Sequence, residues 1–299
     1  ENPELLEAKT NKGSTPAHSA AKWGKTDTLL ALLKENPELL NAKLPSGHTP
    51  AHSAAEFGKT ETLLALFNAK PELLNAKLPG GHTPAHIAAI FGCTRTLIEL
   101  LYKKADLLKV TALHGYQPAH VAAMYGQKNP LLALLDKRPD LLQEKLTSGH
   151  TPAHIAAAYG RTNILLALSG KQPNLLEAEA PGGYKPVHLA AESGHTDTLL
   201  ALLKVKPHLL KSPTDLGYTP AQIARMRGYE GTADALKRKE NNFIQISSQM
   251  ERKILEEIRT EILKKTIFYT EHRLKNKLTE KHNSKLIDDS LKKLTQHFS

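Results

Sequence analysis

The sequence repeats with a period of 34 residues, and this period limits the fold more than any other feature. Two glycines mark every repeat. They recur at Gly13, Gly47, Gly81, Gly115, Gly149, Gly183 and Gly217, and at Gly24, Gly58, Gly92, Gly126, Gly160, Gly194 and Gly228. A period of this size indicates a stack of small units, each of which buries its apolar side only against its neighbours. We therefore expect a solenoid rather than a globule with one central core.

The spacing inside one unit limits the length of its first helix. In the second unit, only about eight residues separate Pro50 from Gly58, too few for the long first helix of a tetratricopeptide unit. Thr49 is a suitable N-cap and Pro50 a suitable first helical residue, because the missing N–H of proline is not needed there. We expect a short helix up to Phe57, ended by a left-handed Gly58, and a second helix capped by Thr60.

The second helix of each unit is rich in leucine. Leu63, Leu64, Leu66 and Phe67 are expected to pack against neighbouring units. Residues 36–40 and their copies predict a proline-initiated turn after this helix. In the fifth unit we expect the second helix to break at Ser169-Gly170, and in the seventh the more polar residues 233–237 are typical of a terminal capping unit.

Four units share the word Thr-Pro-Ala-His, and three contain looser copies. The four are residues 15–18, 49–52, 83–86 and 151–154, and the copies are residues 117–120, 185–188 and 219–222. With the following Ala-Ala-x-x-Gly, these words resemble the signature of the ankyrin-repeat family, although its units usually have 33 residues. The resemblance implies an all-α fold, a solenoid of seven 34-residue helix-pair units with a C-terminal helical extension. It also implies that the histidine of each word is structural and forms hydrogen bonds near the helix start.

The repeats divide the chain into two predicted parts. We assign residues 1–239 to the array and residues 240–299 to a helical C-terminal segment. Residues 1–6 repeat residues 35–40. Residues 1–12 are therefore expected to be the tail of a truncated preceding unit, with at least one more helix pair, and any targeting segment, expected upstream.

The C-terminal segment contains neither glycine nor proline after Gly231, which predicts helix. Met250, Ile254, Ile258 and Ile262, joined by Leu255 and Leu263, indicate one long amphipathic helix. A second helix is suggested by Leu286, Ile287, Leu291, Leu294 and Phe298, with Asn283 or Ser284 as its cap. Three roles stay open for the apolar face: docking on the array, self-association or binding of a partner, and contact with a membrane surface.

Charge and cysteine content restrict the classes of partner. The formal net charge is +10, but lysines are interleaved with acidic residues and no nucleic-acid motif accompanies them, which disfavours nucleic acid and membrane as partners. No apolar run approaches the length of a membrane span. The single cysteine, Cys93, excludes an internal disulfide framework and is interpreted as an incidental surface or boundary residue. We expect an intracellular protein.

Patterns typical of enzymes and metal sites are missing from the sequence. Gly24-Lys25-Thr26 and Gly58-Lys59-Thr60 imitate the end of a phosphate-binding loop but lack its earlier glycine. There is no Gly-x-Ser-x-Gly elbow, and no His/Cys pair has the spacing of a tetrahedral metal site. The chain is therefore expected to be no enzyme and to need no metal or cofactor.

Two rows of side chains are the candidate binding residues. In the ankyrin family, the partner-facing groove is formed by the loops before the first helices and by the exposed side of those helices. The residue before the second glycine of each unit gives an aromatic ladder of Trp23, Phe57, Phe91, Tyr125 and Tyr159. The residue after the first glycine gives a loop row of His48, His82, Tyr116, His150, Tyr184 and Tyr218, and Glu56, Ile90 and Met124 adjoin the ladder. Aromatic residues are enriched at binding hot spots, although packing of the rings between units is an equally open alternative.

The sequence thus predicts a non-catalytic module that recognises a partner protein in a concave groove. The regular units and the lysine-rich tail resemble ankyrin proteins that intracellular bacteria deliver into host cells, which implies a host protein as partner and the host cytoplasm or nucleus as location. The alternative is a targeting or regulatory part of an enzyme, whose catalytic region would lie in the tail or outside these residues. A tail of this length is small for an independent active site.

Overall fold

The computed structural model describes residues 4–277 together with residues 289, 290, 292, 293 and 296. It divides into two compact units, one up to Lys237 and one from Arg238 onward. Among the described residues, no helix is both long enough and apolar enough to span a membrane.

The described residues form α-helices that follow one another in pairs after a short helix α1. The helices are α1 (Glu4–Glu7), α2 (Pro16–Trp23), α3 (Thr26–Glu35), α4 (Pro50–Glu56), α5 (Thr60–Ala69), α6 (Pro84–Ile90), α7 (Thr94–Lys103), α8 (Pro118–Met124), α9 (Lys128–Lys137), α10 (Pro152–Ala158), α11 (Thr162–Lys171), α12 (Pro186–Glu192), α13 (Thr196–Val205), α14 (Pro220–Met226) and α15 (Glu230–Lys277). Each pair from α2/α3 to α14/α15 corresponds to one 34-residue repeat. The predicted solenoid of seven helix pairs with a helical extension is confirmed.

The first helix of the second unit begins at the predicted residue and ends at Glu56, one residue before the predicted end at Phe57. In α4, Thr49 is the N-cap and Pro50 the first helical residue. Gly58 follows the end of the helix with φ +61°, a left-handed conformation that costs glycine little because it has no Cβ. The expected role of Thr60 as N-cap of α5 is wrong, because Lys59 is the cap and Thr60 is already helical. The Thr60 hydroxyl instead bonds that of Thr96, one unit further on, at 2.8 Å.

The core lies between two layers of helices. First helices contact the first helices of adjacent units, and second helices likewise contact second helices. In α5, Leu63 and Leu66 are buried, whereas Leu64 and Phe67 are half-buried. Short 3-10 helices follow the second helices at Pro37–Asn41, Pro71–Asn75, Ala105–Leu108, Pro139–Leu142, Pro173–Leu176 and Pro207–Lys211. The predicted turn after the second helix is therefore one turn of 3-10 helix, and its paired leucines, such as Leu39 and Leu40, are buried.

The predicted break at Ser169-Gly170 is wrong. Helix α11 continues through both residues to Lys171. Leu168 and Ser169 are buried, and the Leu168 carbonyl accepts a hydrogen bond from the Gln172 N–H at 2.7 Å. One glycine inside a helix lowers the stability of that helix by about 1 kcal/mol relative to alanine. The burial of the residues around Gly170 stabilises α11 by more than this amount.

The loops before the first helices pack against one another through their backbones. Within one loop, the Gly47 N–H donates to the Leu44 carbonyl at 2.8 Å. Between neighbouring loops, the Leu113 N–H donates to the Gly80 carbonyl at 3.1 Å. The glycine after each loop tip therefore has both a left-handed φ and, in most units, a close neighbour.

Most of the second compact unit that the structure describes is the continuation of α15 up to Lys277. Side chains at Met250, Ile254, Ile258 and Ile262 are exposed along it. The long amphipathic helix is thus confirmed within the described residues, and it continues without interruption to Lys277. The second helix predicted around Leu286, Ile287, Leu291, Leu294 and Phe298, with its cap at Asn283 or Ser284, lies outside the described residues.

Candidate protein-interaction surface

The histidine of each repeated word holds the start of its helix and the loop of the next unit together. The His52 Nδ1 accepts the Thr49 backbone N–H at 3.2 Å and the Thr49 hydroxyl at 2.8 Å. Because Nδ1 is an acceptor, Nε2 carries the proton of the neutral ring. This Nε2–H donates to the His82 carbonyl, 30 residues further on, at 3.2 Å. The histidine therefore links two units.

The same link recurs along the array. We call the histidines of the repeated words the framework histidines. The ring Nε2 of each lies within hydrogen-bond distance of a backbone carbonyl of the next unit, in the pairs His18–His48, His86–Tyr116, His120–His150, His154–Tyr184 and His188–Ser212. Burial removes water from these rings and lowers the pKa of His52, His86, His120 and His154 to about 4. Burial likewise lowers the pKa of His18 and His188. The framework histidines are therefore neutral structural groups at physiological pH.

The loop row rests on these framework histidines. Rings of the loop row stand edge-on against them, with centroids 5.7 Å apart for His48–His52, 5.5 Å for His82–His86 and 6.3 Å for Tyr116–His120. The pairs His150–His154 and Tyr184–His188 repeat the arrangement. These five rings are half-buried, whereas Tyr218 in the last unit is exposed. Each of these five rings thus packs against a framework histidine and leaves only part of its surface accessible.

The aromatic ladder, in contrast, faces solvent. Its rings lie at or directly after the end of a first helix, before the left-handed glycine. The exposed fractions of Trp23, Phe57, Phe91, Tyr125 and Tyr159 range from 43% to 67%. Glu56, Ile90 and Met124, one residue earlier, are half-buried beside them. The ladder therefore consists of large apolar groups left accessible at regular steps.

A row of side-chain hydrogen-bond donors, here called the donor row, joins the ends of the first helices in adjacent units. The Gln127 amide donates to the Ile90 carbonyl at 2.7 Å, and the Arg161 guanidinium donates to the Met124 carbonyl at 2.9 Å. The His195 ring repeats this contact with the Ala158 carbonyl at 2.9 Å. Each donor directly follows the second glycine of its unit and reaches back to the preceding unit. Sequence reasoning missed these residues, although a side chain with a polar end at this position recurs every 34 residues.

Cys93 occupies the same position and is not incidental. Its Sγ lies 3.8 Å from the Glu56 carbonyl of the preceding unit. Burial raises the pKa of the thiol, so the protonated S–H is a weak donor in the place of the amide or guanidinium. The interpretation of Cys93 as an incidental surface or boundary residue is therefore corrected: Cys93 lies at the boundary between two units, and its thiol contributes a contact there.

Removing one of these donors should weaken the array measurably. We expect Gln127→Ala to lower the free energy of unfolding by about 1 kcal/mol, because the Ile90 carbonyl loses its partner. Urea unfolding followed by circular dichroism gives this value. Lys128→Ala, at the exposed next residue, is the matched control and should change stability by less than about 0.5 kcal/mol. Equal effects of the two substitutions would contradict the role of the donor row.

The two ends of the array differ in the side chains that occupy the ladder position. At the N-terminal end, the Lys22 ammonium lies 4.8 Å from the Phe57 ring centroid and 5.5 Å from that of Trp23, which is cation–π geometry. At the other end the ladder positions are occupied by Ser193 and Arg227, and Arg227 forms an ion pair with Glu192. Aromatic rings therefore occupy the ladder position only in the first five units.

A recess lies beside the ladder between the fourth and the fifth unit. This recess of about 490 Å³ is lined by Tyr125, Gly126, Gly160, Arg161, Thr162, Asn163 and Ile164. Within the residues that the structure describes, no group of three or more His, Cys, Asp or Glu side chains is placed to hold a metal ion. The recess thus places the Tyr125 ring and the Arg161 guanidinium beside one another at the ladder.

Comparisons with known proteins agree with this architecture. A family sequence profile described as ankyrin repeats (3 copies) matches residues 2–75, 85–177, 120–209 and 153–250. The crystal structure of the human ASB11 ankyrin repeat domain is similar with a TM-score of 0.56 and 20% sequence identity, covering 76% of this chain and 98% of that one. At this identity the similarity concerns the fold alone. No curated protein sequence matches the chain.

Proposed function

The chain belongs to the ankyrin-repeat family, and on that premise we propose that it recognises a partner protein along the aromatic ladder. Ankyrin repeats generally mediate protein–protein interaction, and the fold is typically a non-catalytic binding module. One observation carries the proposal, namely that five large rings at a one-unit spacing are exposed in a chain whose other apolar residues in the array are mostly buried.

The physical argument is that exposed rings leave apolar surface that association can bury. An aromatic side chain provides a large contact area and loses little conformational freedom on binding, because it has only two side-chain torsions. Aromatic residues are correspondingly enriched at the hot spots of interfaces. The donor row fixes the helix ends that carry the ladder rings before a partner binds. Binding therefore costs less conformational entropy than it would on a mobile surface.

Residues beside the ladder would set which partner is accepted. Glu56 offers a carboxylate, whereas Ile90 and Met124 offer apolar contacts to the next positions along the same surface. The loop row adds ring edges from His48, His82, Tyr116, His150, Tyr184 and Tyr218. A partner segment with an apolar stretch and a basic end near Glu56 would fit this order of groups.

Substituting alanine at Phe57, Phe91 and Tyr125 together should abolish capture of the proteins that the wild-type chain retains. The thermal midpoint should stay nearly unchanged, because the three rings are exposed and leave no core cavity. A pull-down from cell lysate with quantitative mass spectrometry compares the two chains, and differential scanning calorimetry checks their folding.

The matched control removes an aromatic ring outside the ladder. Tyr102 on α7 is 62% exposed and lies beneath the Lys137 ammonium. Tyr102→Ala should retain the same proteins as the wild type. Undiminished capture by the triple variant, or equal loss with Tyr102→Ala, would show that the ladder is not the binding surface.

The identity of the partner as a host protein, and delivery of the chain by a bacterium, stay predictions from the sequence. They depend on the regularity of the units and the lysine-rich tail, whereas the fit to the ladder described above does not depend on where the partner comes from. The boundary between residues 239 and 240 is likewise proposed here as the end of the recognition array.

A further inference from the structure

An exposed apolar stripe runs along α15 in the second compact unit. Ile254, Ile258 and Ile262 follow one another every four residues, so they lie on one side of the helix. Their side chains are 49%, 50% and 58% exposed, and neighbouring Met250 and Leu255 are 61% and 65% exposed. Contiguous exposed apolar patches on soluble proteins generally mark interaction sites.

Two opposite charges lie on the same stripe at equal distances from Ile258. Glu251 is seven residues before Ile258 and Lys265 is seven residues after it. Seven residues are almost two full helical turns, so both side chains point within about 20° of the direction of Ile258. Both side chains are exposed. Lys265 already forms an ion pair with Glu261 within the helix at 3.6 Å, a solvent-exposed contact that leaves ammonium hydrogens available.

This order of charges distinguishes the two ways in which identical helices can pair. A parallel pair in register would place Glu251 opposite Glu251 and Lys265 opposite Lys265, and like charges at an interface are unfavourable. An antiparallel pair centred on Ile258 would place Glu251 opposite Lys265 of the second copy, and would do so twice by symmetry. It would also align Ile254 with Ile262 of the second copy and Ile258 with itself.

We propose that α15 pairs antiparallel with α15 of a second copy of this chain, with the two-fold axis at Ile258. The isoleucines form the apolar seam, and the two Glu251–Lys265 contacts select the direction of the pair. The dimer would contain two ladders. A partner with two binding segments would therefore bind the second ladder at a raised effective concentration once it has bound the first. This pairing is independent of what the ladder binds.

Sedimentation equilibrium on the full chain over a wide concentration range tests the pairing. We expect the wild type to reach the mass of a dimer. Ile258→Glu should raise the dissociation constant by at least about a hundredfold, because a charge enters the seam twice. Helix content by circular dichroism should not change, since Ile258 is exposed in the single chain.

A charge exchange tests the direction. Glu251→Lys should weaken the dimer by about tenfold or more, and adding Lys265→Glu to the same chain should restore it, because the opposite charges then face each other again. Lys253→Glu is the control, since five residues from Ile258 place it about 140° away from the stripe. It should leave the dissociation constant within about twofold of the wild type.

Disulfide cross-linking tests the position of the axis. In a Cys93→Ser background, Ile258→Cys should form an intermolecular disulfide under mild oxidation, because the two copies of this residue face each other. A monomer at all concentrations, with Ile258→Cys left unlinked, would mean that the stripe is covered by the chain itself or by another molecule, and would overturn the proposal. A dimer that the double charge exchange does not restore would overturn the antiparallel direction.

Discussion

Acidifying the protein from about pH 7 to about pH 4 should unfold the array cooperatively. His52, His86, His120 and His154 have pKa values near 4 in the folded chain, because burial opposes the charged ring. In the unfolded chain their pKa returns to about 6.5. Between these values the unfolded state binds protons that the folded state does not, so the free energy of unfolding falls as the pH falls. The loss begins near pH 6.5 and is complete near pH 4.

The expected size of this effect is comparable to the whole stability of a domain. Each of the four histidines accounts for about 3 kcal/mol over this pH range, whereas domains are typically stable by about 5–15 kcal/mol. Protonation would also place a hydrogen on Nδ1, against the threonine N–H that now donates to it. Urea unfolding at a series of pH values, followed by circular dichroism, measures the dependence.

The seventh unit provides the control for this experiment. There Gln222 replaces the framework histidine, and its Oε1 accepts the Thr219 N–H at 2.8 Å. His154→Gln should therefore preserve the helix start while removing one titrating group. Around pH 5, the slope of the free energy of unfolding against pH should fall by about 1.4 kcal/mol per pH unit. An unchanged slope would show that His154 does not contribute to acid unfolding.

Gly149→Ala should destabilise the array far more than the same change at Gly217. Both glycines follow a loop tip and both have φ +82°, so each alanine incurs the left-handed penalty of about 1–2 kcal/mol. At Gly149 an added Cβ would also overlap the Pro181 ring of the next loop, lying 2.9 Å from its Cγ and closer to its Cδ. At Gly217, in the last unit, nothing lies within 4 Å.

We expect Gly217→Ala to cost about 1–2 kcal/mol and Gly149→Ala about 3 kcal/mol or more, because a proline ring cannot rotate out of the way. Chemical unfolding of the two variants at neutral pH compares them. Equal losses would mean that the loops separate easily, and that only the left-handed backbone matters at Gly149.

Local features of one unit were predictable from the sequence alone. Thr49, Pro50 and Gly58 each have a backbone preference that acts within a few residues, so the bounds of α4 followed from them to within one residue. The 34-residue period then implied the same helix in every unit. The predictions failed where a contact between units decides the outcome, as at Thr60, whose hydroxyl bonds Thr96 instead of capping α5.

Packing against neighbours also explains the other corrections. Gly170 favours a helix end by its intrinsic propensity, yet buried Leu168 and Ser169 keep α11 intact. Cys93 carries no local signal, but its position after Gly92, the second glycine of its unit, brings it to the Glu56 carbonyl. Such roles depend on which residue of the preceding unit lies opposite, and only the stacked structure shows this.

The sequence by itself determined the unit, the approximate bounds of its first helix, the number of repeats and the identity of the residues in each row, because all of these depend on local preferences and on the period. Only the tertiary structure decided which row is accessible. The ladder rings extend past the ends of their helices into solvent, whereas the loop-row rings lean on the framework histidines of their own units. That difference arises from contacts between side chains in the folded units, and the residue types and their spacing in the sequence do not reveal those contacts.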